Sequence, residues 1–237
     1  RMAEGLAERG MLDDTLWVIT SDHGELFLDH GLVTHGRTLY DAEARVPLLV
    51  HWPRRVRPAD AYEAVSHVDI VPTVLDLLEI EPHPAMQGKS FAGARNPDVP
   101  TGVFMNIQGL KSADALVCWP WKLVADRTAR RVMLYNLEQD PEENDDRAGR
   151  DVRVASDMFT TLRAQMNAQV GYHKLKSTDR TRRYAPRLLS CPVLPGAPRA
   201  EAPPPDPAPI KPSVLEGALP SPAPAHPVVS QERGRSN

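Results

Sequence analysis

Three features are scarce in this sequence, and each scarcity excludes a class of protein. Only two cysteines, Cys118 and Cys191, stand among 237 residues, so the disulfide framework of a small secreted domain is not expected, and the localisation stays open. No apolar run approaches the roughly 18 residues of a membrane-spanning helix, so no membrane span is predicted. The net charge of -3, from 28 basic and 31 acidic residues, lacks the excess that attracts a chain to nucleic acid or to a membrane surface.

An apolar run that ends in a carboxylate and an imidazole is the most informative stretch of the chain. Residues 16–25 read Leu-Trp-Val-Ile-Thr-Ser-Asp-His-Gly-Glu and predict a buried strand that places Asp22 and His23 side by side at its carboxyl end. Ligands bind at this end of the strands in open α/β sheets. The pair offers an oxygen and a nitrogen donor to a divalent cation. Alternatively, the pair merely begins a turn in which Gly24 supplies the unusual backbone angles.

The loop after this strand is rich in histidine. It carries His30 and His35, with Arg37 close behind, before a second apolar strand over residues 46–52. Binding and catalytic groups are concentrated on loops that a rigid scaffold positions. His35 and Arg37 are therefore candidates for placing positive charge or hydrogen-bond donors against an anionic substrate at the metal. Taken singly, each histidine is an ordinary loop residue.

Several segments, taken in order, resemble one known family. They are TSDHGE at 20–25, DHG at 29–31, TLYD at 38–41, RVPL at 45–48, HVDIVPTVLDLL at 67–78, MQGKSF at 86–91, WKLV at 121–124 and LYNLEQDPEE at 134–143. This order is similar to that of the sulfatase family, within the alkaline-phosphatase-like superfamily, over residues 1 to about 170. The resemblance implies the C-terminal part of a parallel-sheet α/β domain, followed by a small antiparallel sheet and a helix.

The resemblance also implies a chemistry. Asp22 and His23 match two metal ligands of a hydrolase that cleaves small-molecule sulfate esters, with calcium as the implied cation and magnesium or manganese as alternatives. Many sulfatases have Asn where this chain has His23. The Asp-His version is similar to phosphonate monoester hydrolases and phosphodiesterases, so those phosphorus esters are the alternative substrates.

Two residues compete for the role of contacting the substrate's anionic group. His35 falls where an ungapped alignment from Asp22 places the family's sulfate- or phosphate-contacting Lys or His. Arg37, just before Thr38, is the rival. Either residue can offset negative charge that grows during the reaction, and an imidazole can also act as a general acid. Tyr40 and Arg45 are expected to brace the loop rather than to touch substrate.

The family's nucleophile motif, Cys- or Ser-x-Pro-x-Arg, is missing from the sequence. Neither Cys118 nor Cys191 stands in such a motif, and Asp13-Asp14 lies at the wrong end of the strand to be the family's early metal-binding pair. The chain starts at Arg1, directly on a predicted helix. We therefore expect a C-terminal fragment of a longer enzyme, inactive on its own. The alternative is a non-catalytic remnant or binding module.

Composition divides the chain into three parts. Residues 1–95 alternate helix, strand, loop, strand and helix, which predicts an α/β layer with parallel strands. Residues 96–172 predict short antiparallel strands followed by a helix. Residues 173–237 are basic and then proline-rich, and cannot bury enough apolar area to offset the entropy of ordering, so disorder is expected.

Periodicity predicts which helix faces are buried. The helix that begins near Asp69 repeats apolar residues at spacings of three and four, which predicts a buried stripe of Val71, Val74, Leu75 and Leu78. The helix from 151 to about 170 carries a second stripe of Val154, Met158, Leu162 and Met166. The acidic stretch 138–146 lacks the alternating ligands of a calcium-binding loop and is predicted to be a solvated turn.

Overall fold

Two β-sheets, of two and four strands, organise the part of the chain that the structure describes. The structure is a computed structural model that describes residues 1–58, 64–93, 102–109, 111–180 and 185–194. These residues all fall within one unit, Arg1–Ala200. Among them, no helix is long and apolar enough to cross a membrane. Most of the predicted proline-rich tail, residues 195–237, lies outside the described residues.

The first sheet pairs its two strands antiparallel. Helix α1 (Met2–Ala7) precedes β1 (Trp17–Thr20), and helix α2 (Asp41–Ala44) precedes β2 (Leu48–His51). Trp17 lies opposite His51 in the register. The predicted parallel arrangement is therefore wrong for this pair. A parallel pair needs a crossover that runs back along the sheet, usually as a helix, whereas α2 has only four residues.

Helix α3 (Ile70–Leu77) begins at Asp69, as predicted, but buries a different face. Its buried residues are Pro72 and Thr73, while Val71 and Leu78 of the predicted stripe are exposed. The buried face packs on the loop that follows the helix, where the Thr73 hydroxyl accepts the Phe91 N–H at 3.1 Å. Local backbone contacts with this loop, rather than an apolar stripe, decide the orientation of the helix.

The second sheet has the order β3-β4-β5-β6, with every neighbouring pair antiparallel, which confirms the prediction. Its strands are β3 (Val103–Ile107), β4 (Ala113–Cys118), β5 (Trp121–Asp126) and β6 (Arg131–Asn136). Strands β4 and β5 are buried along almost their whole length. This sheet therefore forms the central layer of the described core.

Helix α4 (Val152–His173) covers one face of this sheet, and the short helix α5 (Ser177–Arg180) follows it. Val154, Met158 and Leu162 are buried in one cluster with residues of β4, β5 and β6, which confirms the predicted stripe, and Met166 packs against its margin. A second cluster covers the opposite face of the sheet and includes Leu39 from the loop between β1 and β2. Hydrophobic burial thus joins that loop to the C-terminal sheet.

A disulfide closes the described core, contrary to the expectation from the sequence. Cys118, the last residue of β4, is bonded to Cys191, with a Cα–Cα distance of 5.7 Å. Residues 185–194, which composition assigns to the disordered tail, return to the core, where Leu194 is buried beside α4. The Leu189 N–H donates to the Gln165 side-chain oxygen at 3.1 Å. Linear distance between two cysteines does not reveal such a return of the chain.

Candidate active site

Asp22 and His23 follow the end of β1, as the sequence predicts, but β1 is half-buried to exposed among the described residues and not buried as predicted. The Ser21 hydroxyl donates to the His23 carbonyl at 2.8 Å, and the His23 N–H donates to Asp22 Oδ1 at 3.1 Å. This local turn directs the two side chains toward each other, with 3.6 Å between Asp22 Oδ2 and His23 Nε2. Both side chains are exposed. An oxygen and a nitrogen donor therefore converge on one accessible point.

The tautomer of His23 is set by its neighbour. Nδ1 lies 2.8 Å from the Gly24 carbonyl, to which it donates, so Nε2 carries the free lone pair. Metal-binding histidines are held in this way, with the second ring N–H on a carbonyl or carboxylate. The Gly24 carbonyl raises the pKa of His23, and the charge of His23 lowers the pKa of Asp22.

Gly24 allows helix α2 to approach the pair closely. Its N–H donates to the Glu43 carbonyl at 2.7 Å. A Cβ at this position would overlap the Ala42 carbonyl oxygen. Only glycine fits without displacing α2.

The structure brings His35 to the pair. Its ring stacks on that of His23, with 4.0 Å between centroids, and its Nδ1 lies 3.1 Å from Glu25 Oε2. Arg37 is exposed, and among the described residues no hydrogen bond or ion pair holds its guanidinium. Of the two rivals, His35 is the one with a fixed position beside Asp22 and His23.

Glu43 fixes the part of the loop that carries His35, a role that no pattern in the sequence indicates. Its buried carboxylate accepts the Gly36 N–H at 2.5 Å, and both the N–H and the hydroxyl of Thr38 at 3.1 and 3.0 Å. A glutamate in a polar stretch is normally expected on a solvated helix face. Here it replaces water as the acceptor for three donors of the loop.

A buried ion cluster of Asp41, Lys122 and Glu143 joins the loop to the C-terminal sheet. Lys122 Nζ lies 2.6 Å from Asp41 Oδ1 and 2.8 Å from Glu143 Oε1. The Asp41 N–H donates to Glu143 Oε2 at 2.5 Å. Glu143 belongs to the acidic stretch predicted to be solvated, and that prediction is wrong at this residue, because the Lys122 ammonium stabilises its carboxylate inside the protein.

His30 is part of the loop's support and not of the candidate site. Its ring stacks on Tyr40 with 3.7 Å between centroids. Nε2 lies 3.1 Å from the Glu143 carbonyl, and Nδ1 lies 2.7 Å from Asp29 Oδ1. The stacking of Tyr40 on His30 agrees with the predicted bracing role of Tyr40.

The described residues supply two candidate metal ligands rather than a complete set. No group of three or more His, Cys, Asp or Glu side chains that could hold a metal is found among them. The pair itself fits a divalent cation, because it combines a carboxylate oxygen with an imidazole nitrogen whose other ring nitrogen is already held.

The sulfatase family model matches residues 1–80, the part that contains β1, the loop and α2. In this region the chain is similar to the sulfatase family. Its relatives include the uncharacterized sulfatase YidJ of Escherichia coli K12, 35% identical over 85 residues, which are 35% of this chain and 17% of YidJ. Arylsulfatase K of Bos taurus is 29% identical over 182 residues, covering 68% of this chain and 33% of the relative. The chain thus spans a third or less of these proteins.

Solved structures share the fold. BT4656, solved in complex with its substrate D-glucosamine-2-N,6-O-disulfate, matches with a TM-score of 0.60 and 22% identity over 70% of this chain and 37% of BT4656. The phosphonate monoester hydrolase SpPMH of Silicibacter pomeroyi matches with a TM-score of 0.58 and 24% identity over 75% of this chain and 38% of SpPMH. These likenesses confirm the predicted mixed α/β, alkaline-phosphatase-like fold class.

Proposed function

We propose that this chain supplies part of the metal site of a hydrolase that cleaves sulfate esters, with Asp22 and His23 as metal ligands. The observation that carries the proposal is the orientation of His23, whose Nε2 faces the Asp22 carboxylate while Nδ1 is held by Gly24. This pair lies within the region that matches the sulfatase family. Calcium is the proposed cation, since the family resemblance implies it, and magnesium and manganese are the alternatives.

The residues present indicate which part of the reaction this chain would support. When bound, the cation polarises the ester oxygens and stabilises a nucleophile as an oxyanion. Asp22 and His23 would hold it, and we infer that residues other than these 237 would supply the remaining ligands and the nucleophile. We propose that residues 1–95 belong to the catalytic domain, 96–172 to a supporting subdomain and 173–237 to a tail.

His35 is the proposed partner of the substrate's anionic group. Glu25 holds its Nδ1, so its Nε2, which carries a proton in the imidazolium form, is left to donate a hydrogen bond or that proton toward the leaving group. Arg37, whose guanidinium is exposed, is the alternative donor of positive charge. His35 and Arg37 stand on the same loop. Substituting each residue separately distinguishes their roles.

Sulfate esters are the proposed substrate class because the relatives include Arylsulfatase K and the solved neighbours include BT4656 with its sulfated glucosamine. Phosphonate monoesters or phosphodiesters are the second candidate, favoured by the Asp-His pair and by the likeness to SpPMH. The two substrate classes are distinguished by comparing turnover of an aryl sulfate, a phosphodiester and a phosphonate monoester by the protein that carries the upstream sequence.

Metal titration tests the proposed ligands directly. Calcium, magnesium and manganese are each added to the chain while the His23 ring signals are followed by NMR. We expect a metal-dependent shift at His23 and at least about 10-fold weaker binding in Asp22→Asn, because loss of even an outer-shell partner costs about 10- to 100-fold in metal affinity. Asp14→Asn is the matched control, because Asp14 is exposed and pairs with Arg54. Absence of a His23 response to all three cations, in the protein that carries the upstream ligands as well as in the chain alone, overturns the assignment.

The coding sequence upstream of Arg1 tests the shared active site. An open frame with an Asp-Asp pair and a Cys- or Ser-based nucleophile motif supports the enzyme, whereas a start codon near residue 2 supports a non-catalytic remnant. We expect no turnover from the isolated chain. Appreciable metal-dependent esterase activity from these 237 residues alone contradicts the proposal.

A further inference from the structure

The position of the candidate site depends on helix α2, which lies between the two halves of the loop. Glu43 contacts both halves: its carbonyl accepts the Gly24 N–H, next to His23, and its carboxylate accepts the Gly36 N–H, next to His35. A shift of α2 therefore moves the metal-binding pair and His35 relative to each other.

Helix α2 is in turn fixed from outside the loop. Asp41 is its first residue, and both its N–H and its carboxylate are held by the buried ion cluster. Lys122 stands on β5, where it is fully buried, and Glu143 follows β6. The contact therefore runs from the core of the C-terminal sheet to the start of α2.

A second contact also joins the loop to Glu143. The Glu143 carbonyl accepts a hydrogen bond from His30 Nε2, with 3.1 Å between the two atoms. His30 stacks on Tyr40, the residue directly before α2. Glu143 thus holds the loop through both its side chain and its backbone, which fixes the orientation of α2 as well as its distance from the sheet.

The contact between α2 and the C-terminal sheet depends on the charges of Asp41, Lys122 and Glu143. Burial raises the pKa of Glu143, an effect that the Lys122 charge opposes. Without the ammonium, the carboxylates of Asp41 and Glu143 face each other with no cation between them. A buried charge that loses its partner is strongly destabilising, and separation of α2 from the sheet is the movement that relieves it.

We propose that Lys122 is a positioning residue: through Asp41 and Glu143, it makes the C-terminal sheet determine where His35 stands relative to Asp22 and His23. That the position of His35 matters for catalysis rests on the proposed function. The position itself can be measured on the chain alone, whatever the chain's function is.

Hydrogen exchange of Lys122→Met and Asp41→Asn tests the proposal. We expect amides of residues 24–45 to exchange at least about 10-fold faster in both variants, while amides of β4 and β5 stay within about 2-fold of the original rates. Asp41→Asn removes the loop-side negative charge and leaves the Lys122–Glu143 pair in place. If Lys122→Met unfolds the sheet, Asp41→Asn decides alone. Unchanged exchange of residues 24–45 in Asp41→Asn overturns the proposal.

Two further measurements separate positioning from general stability. The nuclear Overhauser contact between the His23 and His35 rings is expected to weaken in Asp41→Asn and to persist in Glu79→Gln, which removes an exposed ion pair with Arg55. A contact that persists in both variants contradicts the positioning role. The metal titration of the unaltered chain is independent of these results, so its failure counts against the proposed function and not against the role of Lys122.

Discussion

The imidazole of His35 lies on the imidazole of His23, with ring planes inclined by 26°. Each ring is held by its own partner, His23 by the Gly24 carbonyl and His35 by the Glu25 carboxylate. The contact therefore depends on how the loop places these partners. Substitutions at the fixed points of the loop are expected to change it.

Replacement of Glu43 by Gln is expected to loosen the loop. The Gln side chain would keep one oxygen acceptor but turn an NH2 group toward the N–H of either Gly36 or Thr38, both of which now donate to the carboxylate. Loss of these buried hydrogen bonds is expected to lower the free energy of unfolding by about 1–3 kcal/mol. Urea unfolding measures the change. Glu138→Gln, at an exposed position, serves as the control, and an equal loss in both variants would refute the role of Glu43.

Gly24→Ala is expected to displace α2. The new Cβ would overlap the Ala42 carbonyl oxygen, part of a backbone that has little freedom to move. We expect a loss of stability of about 1–3 kcal/mol, the usual range for overpacking, together with a weaker His23–His35 contact by NMR. Gly149→Ala is the matched control, because a Cβ added there would have nothing within 4 Å. Equal stability of the two variants would contradict the close approach.

Removal of the disulfide is expected to destabilise the core. In the double variant Cys118→Ala, Cys191→Ala, residues 185–194 lose their covalent tie to β4. A cross-link over a sequence separation of 73 residues contributes on the order of 4 kcal/mol in the chain-entropy account. Urea unfolding of the double variant and of the chain with and without a dithiol reductant measures this. If the reductant lowers the free energy of unfolding of the original chain no more than that of the double variant, the cross-link does not form in solution.

Asp146 is expected to contribute stability that is lost in acid. Burial alone would raise its pKa, but hydrogen bonds from the Ala148 N–H, the Arg131 guanidinium and the Leu134 N–H outweigh it, and the net pKa is lowered. A group with a lowered folded-state pKa stabilises fully above its unfolded pKa of about 4 and loses that stabilisation as the pH falls through the folded value.

The Asp146→Asn variant tests this dependence. Above about pH 5 it is expected to be less stable than the original chain by a constant amount, and below about pH 4 the two are expected to converge. Urea unfolding across this range gives the comparison. A difference that does not shrink in acid would show that the Asp146 charge is not responsible.

The sequence predicted best what neighbouring residues decide. The β1 strand, the four C-terminal strands and α4 follow local periodicity, and Asp22 and His23 are adjacent in the chain, so their meeting needs no knowledge of the fold. The position of His35 beside them could be predicted only from the family resemblance, because the loop that carries His35 back to them has no regular sequence pattern.

The residues that support the site were not predictable from local pattern. Asp41 and Lys122 are 81 positions apart, and their contact forms only when the sheet and the loop meet. A lysine within an apolar strand and a glutamate within an acidic turn are both normally expected in water. The direction of β2 was predicted wrongly too, since helix-strand alternation does not reveal that α2 is too short for a crossover.

The disulfide between Cys118 and Cys191 joins β4 to residues that follow α4. Everything between these cysteines, including β5, β6 and α4, is therefore part of one covalently closed ring. A single backbone cut within that ring, by a protease for example, leaves the two products joined. Such a cut is invisible on a non-reducing gel and becomes two separate bands only after reduction.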